Sequence, residues 1–160
     1  MTAFCNLFPS VASRTAFLKK ARIMIAKPTH MGDVIIALPL AGLLKHYFPE
    51  CTILFLAKGP NCDIARRYRF VDEVYDESII DTPEGLNACK ADVFIHVNSS
   101  KKLAFAAKKA DIPIRIGSIY RQYNWFTCTD RVFISRELNW LNRRELDLEN
   151  LRPLGIKHRI

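Results

Sequence analysis

What this chain lacks narrows the possibilities first. No stretch reaches the ~18 consecutive apolar residues that a membrane-spanning helix requires. Neither GxGxxG nor GxxxxGK[ST] occurs, which disfavours a dinucleotide-binding domain and a P-loop. The four histidines are scattered and form no HExxH. The five cysteines are odd in number and form no CxxC, which argues against a disulfide framework or a zinc site and for thiols in a reducing compartment. No helix-turn-helix, zinc-finger or RNP-like string is present, so a nucleic-acid partner is not expected. Residues 1–20 lack the basic start and long apolar stretch of a signal peptide. They read as an extension whose Phe4, Leu7, Phe8, Phe17 and Leu18 either pack on the domain that follows, the favoured reading, or touch a bilayer.

What is present describes a folded domain. Of 160 residues, 49% are apolar and 25% charged, a composition that builds a core and argues against disorder. The 24 Lys and Arg outnumber the 16 Asp and Glu, for a net charge of +8, which favours anionic partners. The cations come in pairs, such as Lys19-Lys20, Lys101-Lys102 and Lys108-Lys109, with no long run. A solvated surface and a basic cleft both fit that pattern.

Apolar runs alternate with helix-like stretches. Strands are predicted over Arg22–Lys27, Thr52–Ala57, Val71–Tyr75, Asp92–Val97, Ile114–Gly117 and Arg131–Ile134. The second, continuously apolar, is of the kind found in a covered parallel sheet. Helices are predicted over Val34–Phe48, Cys62–Tyr68, Thr82–Cys89, Lys101–Ala110 and Leu141–Leu154, with Ser99-Ser100 as a cap and Gly155 as a stop. Pro39 should kink the first of these or mark its first turn. The alternation implies βαβ units: an α/β, Rossmann-like, doubly wound, mostly parallel sheet over residues 21–160. Ligands of such sheets gather at the carboxyl ends of the strands, where the loops after Lys27, Ala57 and Val97 converge.

The first of those loops is the most informative. Asp33 is a lone carboxylate directly after Gly32 and at a helix start, where free N–H groups favour its ionised form. Two readings follow: an N-cap, or a general base at the mouth of a cleft.

The string from Ile23 to Leu40, IMIAKPTHMGDVIIALPL, resembles the opening of glycosyltransferase family 9, the ADP-heptose:lipopolysaccharide heptosyltransferases. The Gly-Asp-Val…Leu-Pro spacing carries most of that likeness. Phe48-Pro49, Ile112–Gly117 (the family's "pxRIG" strand), Tyr123–Cys128 and Glu149–Ile156 extend it over residues 21 to 156. The family's second-domain landmark, Asp-Ser/Thr-Gly with a nearby His, has no counterpart, and Asn142-Arg143 replaces a His-Glu pair of some relatives.

The resemblance implies the acceptor-side half of a two-domain GT-B enzyme, with the donor-binding domain absent. It implies inverting transfer of heptose or a related sugar from an ADP-sugar to the lipopolysaccharide inner core. Asp33 falls at the position of the family's base. Lys27, Thr29, His30, Met31 and Gly32 fall on the surrounding acceptor motif, with His30 departing from the usual Ser/Thr. Lys101, Lys102 and Arg121 are candidates for the anionic acceptor, and Tyr123 and Trp125 for stacking on sugar. No cofactor is implied, the ADP-sugar being substrate. The expected partners are the lipopolysaccharide core, the nucleotide-sugar, a separate donor-domain chain and the membrane periphery, and the expected location is cytoplasmic. A non-catalytic module binding anionic glycolipid or a membrane surface is the alternative.

Overall fold

The computed structural model describes residues 10–81, 83–98, 100–134 and 143–156. Helix α1 (Val11–Lys20) leads into β1 (Arg22–Ala26), α2 (Met31–Tyr47), β2 (Thr52–Ala57), α3 (Asn61–Arg66) and β3 (Glu73–Asp76). A 3-10 turn (Glu77–Asp81), α4 (Pro83–Ala88), β4 (Val93–His96), α5 (Lys101–Lys109), β5 (Ile114–Ser118), α6 (Asn124–Thr127) and β6 (Asp130–Val132) follow. The last elements are α7 (Arg143–Leu148) and a 3-10 helix (Glu149–Leu154).

The sheet order is β3-β2-β1-β4-β5-β6, and every pairing is parallel. The architecture is therefore the doubly wound Rossmann-like α/β sheet. Chain direction reverses its order between β1 and β4, which is the switch point of the fold.

Alternation along the central strands sends side chains into two cores. Ile23 and Ile25, Ile53 and Phe55, and Val93 and Ile95 face the layer of α1, α2, α3 and the final 3-10 helix. Met24, Leu54, Leu56 and Phe94 face the layer of α4 and α5. Both faces are covered, which is why β1 and β2 read as unbroken apolar runs. Leu18, in the expected extension, is buried in the first core with Phe17 against it. Phe4, Leu7 and Phe8 lie outside the described residues.

The amino edge of the sheet is fastened by residues that immediately precede strands. The Asp92 carboxylate accepts the Arg22 N–H at 2.7 Å, and Asp72 accepts that of Ile53 at 2.6 Å. Thr129 Oγ1 accepts the Arg115 N–H at 2.9 Å. Arg22 also pairs with Glu73 at 2.8 Å, which holds the Glu73 carboxyl below its ordinary pKa. The opposite edge is left to the loops.

Several boundaries differ from expectation. Helix α2 starts three residues earlier than Val34, and Pro39 sits inside it. Packing of Leu38, Leu40, Ala41 and Leu44 holds the turns on both sides, outweighing one lost backbone bond. The closing helix is two pieces, because Pro153 cannot donate and the chain tightens into 3-10 form before Gly155 at φ 83°. Thr82 and Ser99 lie outside the described residues. The cap of α5 is Ser100, whose Oγ accepts from the Leu103 N–H at 3.2 Å.

Helix α6 is laid directly on β5. A Cβ at Gly117 would stand 2.8 Å from both Asn124 Nδ2 and Cys128 Sγ. Asn124, fully buried, gives its Nδ2 to the Ser118 carbonyl at 2.8 Å. Gly117→Ala should therefore destabilise the domain by about 1–3 kcal/mol through overpacking, read as a lowered urea midpoint at unchanged slope.

Candidate functional site

The segment that leaves β1 is pinned from three sides. The Lys27 N–H donates to the Leu56 carbonyl at 3.0 Å, the Asn98 N–H to the Ala26 carbonyl at 3.2 Å, and Asn61 Nδ2 to the Thr29 carbonyl at 2.7 Å. The loops after β1, β2 and β4 thus meet at the carboxyl edge, beside the switch point.

Asp33 is not the N-cap of α2. His30 occupies that position, with extended backbone and no side-chain cap bond, and Asp33 lies in the first turn. The N-cap reading is corrected for this reason. Asp33 is half-buried, and its carboxylate makes no side-chain hydrogen bond or ion pair among the described residues. It is flanked by Met31 and Ile35, 58% and 51% exposed, and Gly32 is open to solvent. The carboxylate thus stands in the first turn, at the positive end, of a 17-residue helix that opens directly after the β1 exit.

Lys27 takes an unexpected position. It is 1% exposed, and its Nζ donates to Asp147 Oδ2 of α7 at 2.9 Å. The ammonium therefore points into the core beneath the loop. Asn150 Nδ2 donates to the Asp147 carbonyl at 2.9 Å, completing a buried polar cluster. Thr29 Oγ1 and Asn150 Oδ1 are buried without a hydrogen-bond partner.

The remaining candidates spread along the same edge. His30 is exposed beside Asp33. Lys101 and Lys102 open α5, after the strand adjacent to β1, and both are exposed. Lys102 also borders a depression of about 290 Å³ shared with Lys58, Asp76, Glu77 and Ser78. There Asp76 is held down to a pKa of about 2 by backbone donors, Ser78 first and then Gly59. Arg121 is exposed in the turn after β5, one strand further out. Trp125 lies on α6, its Nε1 donating to the Ile119 carbonyl at 2.8 Å, and Tyr123 is half-buried just before it.

Two buried groups were not singled out from sequence. Asp147 is one; its only signal was an acid between leucines, and its partner lies 120 positions away. His96 is the other. It ends β4 at 2% exposure, packs against Phe94 with ring centroids 4.6 Å apart and the planes tilted by 44°, and has neither ring nitrogen hydrogen-bonded among the described residues. Burial, with a smaller push from the Arg115 guanidinium, lowers its pKa to about 3. Among the thiols, burial raises Cys51 and Cys128 to about 11, which leaves them unreactive.

No family model matches the sequence, and no curated protein matches it. Solved structures do. A family 9 glycosyltransferase from Veillonella parvula aligns with a TM-score of 0.73 at 20% identity, covering 86% of this chain and 42% of that one. The E. coli heptosyltransferase WaaC, solved with ADP-2-deoxy-2-fluoro heptose, gives 0.72 at 16% identity, covering 85% and 49%. E. coli ADP-heptose lipopolysaccharide heptosyltransferase II gives 0.63 at 19% identity, covering 79% and 40%. The chain thus has an α/β domain fold found in GT-B heptosyltransferases and spans less than half the length of each. At these identities the likeness is one of fold.

Two measurements check the buried groups. Asp147→Asn or Lys27→Met should each cost about 3–5 kcal/mol in chemical denaturation, while Lys27→Met/Asp147→Leu together should recover most of that loss. His96 is neutral when folded, so protons bind the unfolded chain preferentially below its ordinary pKa near 6.5. Its stabilisation is complete above that value and falls away as pH drops toward about 3. His96→Leu should flatten the stability–pH curve over that interval and leave it unchanged above pH ~7.

Proposed function

We propose that this chain is the acceptor-side domain of a heptosyltransferase-type enzyme. It serves transfer of a heptose or related sugar from an ADP-sugar to the lipopolysaccharide inner core, with inversion. The observation that carries the reading is the unengaged Asp33 carboxylate at the switch point of a fold that heptosyltransferases share.

In the proposed step Asp33 takes the proton of the acceptor hydroxyl. That oxygen forms its bond to the anomeric carbon on the face opposite the leaving group, and the bond from that carbon to the ADP oxygen breaks, its electron pair leaving with ADP. A positioned carboxylate supplies typically ~10²–10⁴-fold of such a rate. Thr29, His30, Met31 and Gly32 border the acceptor, and Lys101, Lys102 and Arg121 meet its phosphates and carboxylates. Arg121 offers the bidentate geometry that the two lysines lack. Lys27, its ammonium committed to Asp147, holds the loop from beneath. The ADP-sugar is held mainly outside these residues.

Binding of an inner-core oligosaccharide to the full chain by calorimetry tests the reading. Salt-sensitive binding is expected, weakened roughly tenfold by Arg121→Ala through loss of one charge-assisted contact and nearly unchanged by Asp33→Asn. Wherever turnover is supported, Asp33→Asn should lower it by ~10²–10⁴. The chain alone should turn over ADP-heptose little, because loss of donor positioning removes several orders of magnitude. Brisk turnover by these 160 residues, or no affinity for the oligosaccharide at low salt, would overturn the proposal. The alternative, a binding module without catalysis, predicts the same affinity and no Asp33-dependent turnover in any assembly.

A further inference from the structure

Helix α2 is apolar around most of its circumference. Its inner arc, Val34, Ala37, Leu38, Leu40, Ala41 and Leu44, is buried in the first core. At about 100° per residue, the opposite arc holds Met31, Ile35, Ile36, Pro39, Leu43 and Tyr47, none of them buried. Met31, Ile35 and Tyr47 are three of the eight large apolar side chains that the described residues expose. The two charged side chains of the helix lie off this arc. Asp33 is in the first turn on the other side, and Lys45 turns to Asp72 at 2.8 Å. A helix at the surface of a folded domain ordinarily shows charged residues to water, and one that is apolar on its outer face as well has that face covered when the protein works.

Helix α7 flanks the arc without covering it. Between the two helices lies a groove of about 370 Å³. Pro39, Gly42, Leu43 and His46 form its α2 side, and Leu148 its α7 side, where Arg144 and Glu145 add one charge of each sign. The arc starts beside Asp33 at the carboxyl edge of the sheet and follows the helix for about 25 Å to Tyr47, near the amino edge. A donor-side domain seated over the strand-exit loops would meet only the first turn or so of this length.

We propose that the outer arc of α2 is a homodimer interface, packed against the same arc of a second copy about a two-fold axis. Charge selects this occupant. The chain carries a net +8, so most of its faces would oppose cation to cation, whereas this arc holds no Lys, Arg, Asp or Glu. The groove beside it complements itself: a two-fold axis past the groove sets Arg144 on one copy against Glu145 on the other, and the reverse pair on the far side. A strip about 25 Å long and about 10 Å wide, with the α7 wall of the groove, lies at the lower end of specific interfaces, so the dimer is a weak one with a Kd on the order of 10 μM. The inference does not rest on the role of Asp33 or on sugar transfer.

Sedimentation velocity of the full chain, from about 1 to about 200 μM, tests it. A monomer–dimer equilibrium is expected, and it should persist at high salt because the contact is apolar. Ile35→Glu and Tyr47→Glu should each weaken dimerisation roughly tenfold or more by placing an unpaired carboxylate in the contact. The two positions lie more than three turns apart, and circular dichroism confirms the fold of each variant, so either one alone decides the matter. Trp125→Ser/Phe126→Ser, on the far side of the domain, should dimerise as the parent does. So should Asp33→Asn, which separates this test from that of the transferase reading. The proposal is overturned by a parent that stays monomeric throughout, including the case in which a separate donor-domain chain covers the arc. It is equally overturned by a dimer that a folded Ile35→Glu or Tyr47→Glu leaves intact, or by one that Trp125→Ser/Phe126→Ser dissociates.

Discussion

The ion pair between Lys27 and Asp147 is the constraint on which the arrangement at the strand exit depends. A charge removed from water is tolerated only when paired, and each partner here would be stranded without the other. The pair joins the end of the central strand to α7, so the loop bearing Asp33 rests on a contact between opposite ends of the chain. Buried pairs of this kind contribute modestly to net stability but make wrong packings costly. An α7 shifted by one turn would leave an ammonium alone in the core.

The two edges of the sheet are built for different tasks. At the amino edge, Asp72, Asp92 and Thr129 each satisfy an N–H in the first two residues of a neighbouring strand, which ties the parallel register to side chains at the strand starts. At the carboxyl edge, polar groups are left uncommitted among the described residues: the Asp33 carboxylate, Thr29 Oγ1 and the exposed His30. Uncommitted polar groups cost stability where they are buried, and they gather beside the switch point, where a ligand of this fold would satisfy them. His96 extends the same logic into the sheet, since its imidazole is kept neutral at the end of β4 chiefly by burial, with a smaller push from Arg115.

The positive charge divides between two places with different chemistry. Lys101, Lys102 and Arg121 stand at or near the loop edge. Lys108, Lys109 and Arg131 stand among exposed rings on α5, α6 and β6. Composition reports only their sum.

The sequence by itself determined the layer structure. Unbroken apolar runs at Ile23–Ala26 and Ile53–Ala57, separated by helical stretches, call for a parallel sheet covered on both faces. Local chemistry also gave the caps at Ser100 and Gly155. Only the tertiary structure decided that Lys27 points inward, because a lysine after a strand reads alike whether its ammonium meets solvent or an aspartate 120 residues later. The same holds for the cap of α2, taken by His30 where Asp33 was the obvious residue, and for His96, which is buried with its ring against Phe94. Periodicity encodes which face a residue turns to. It does not encode what arrives on that face from elsewhere in the chain, and burial of charge is settled by that arrival.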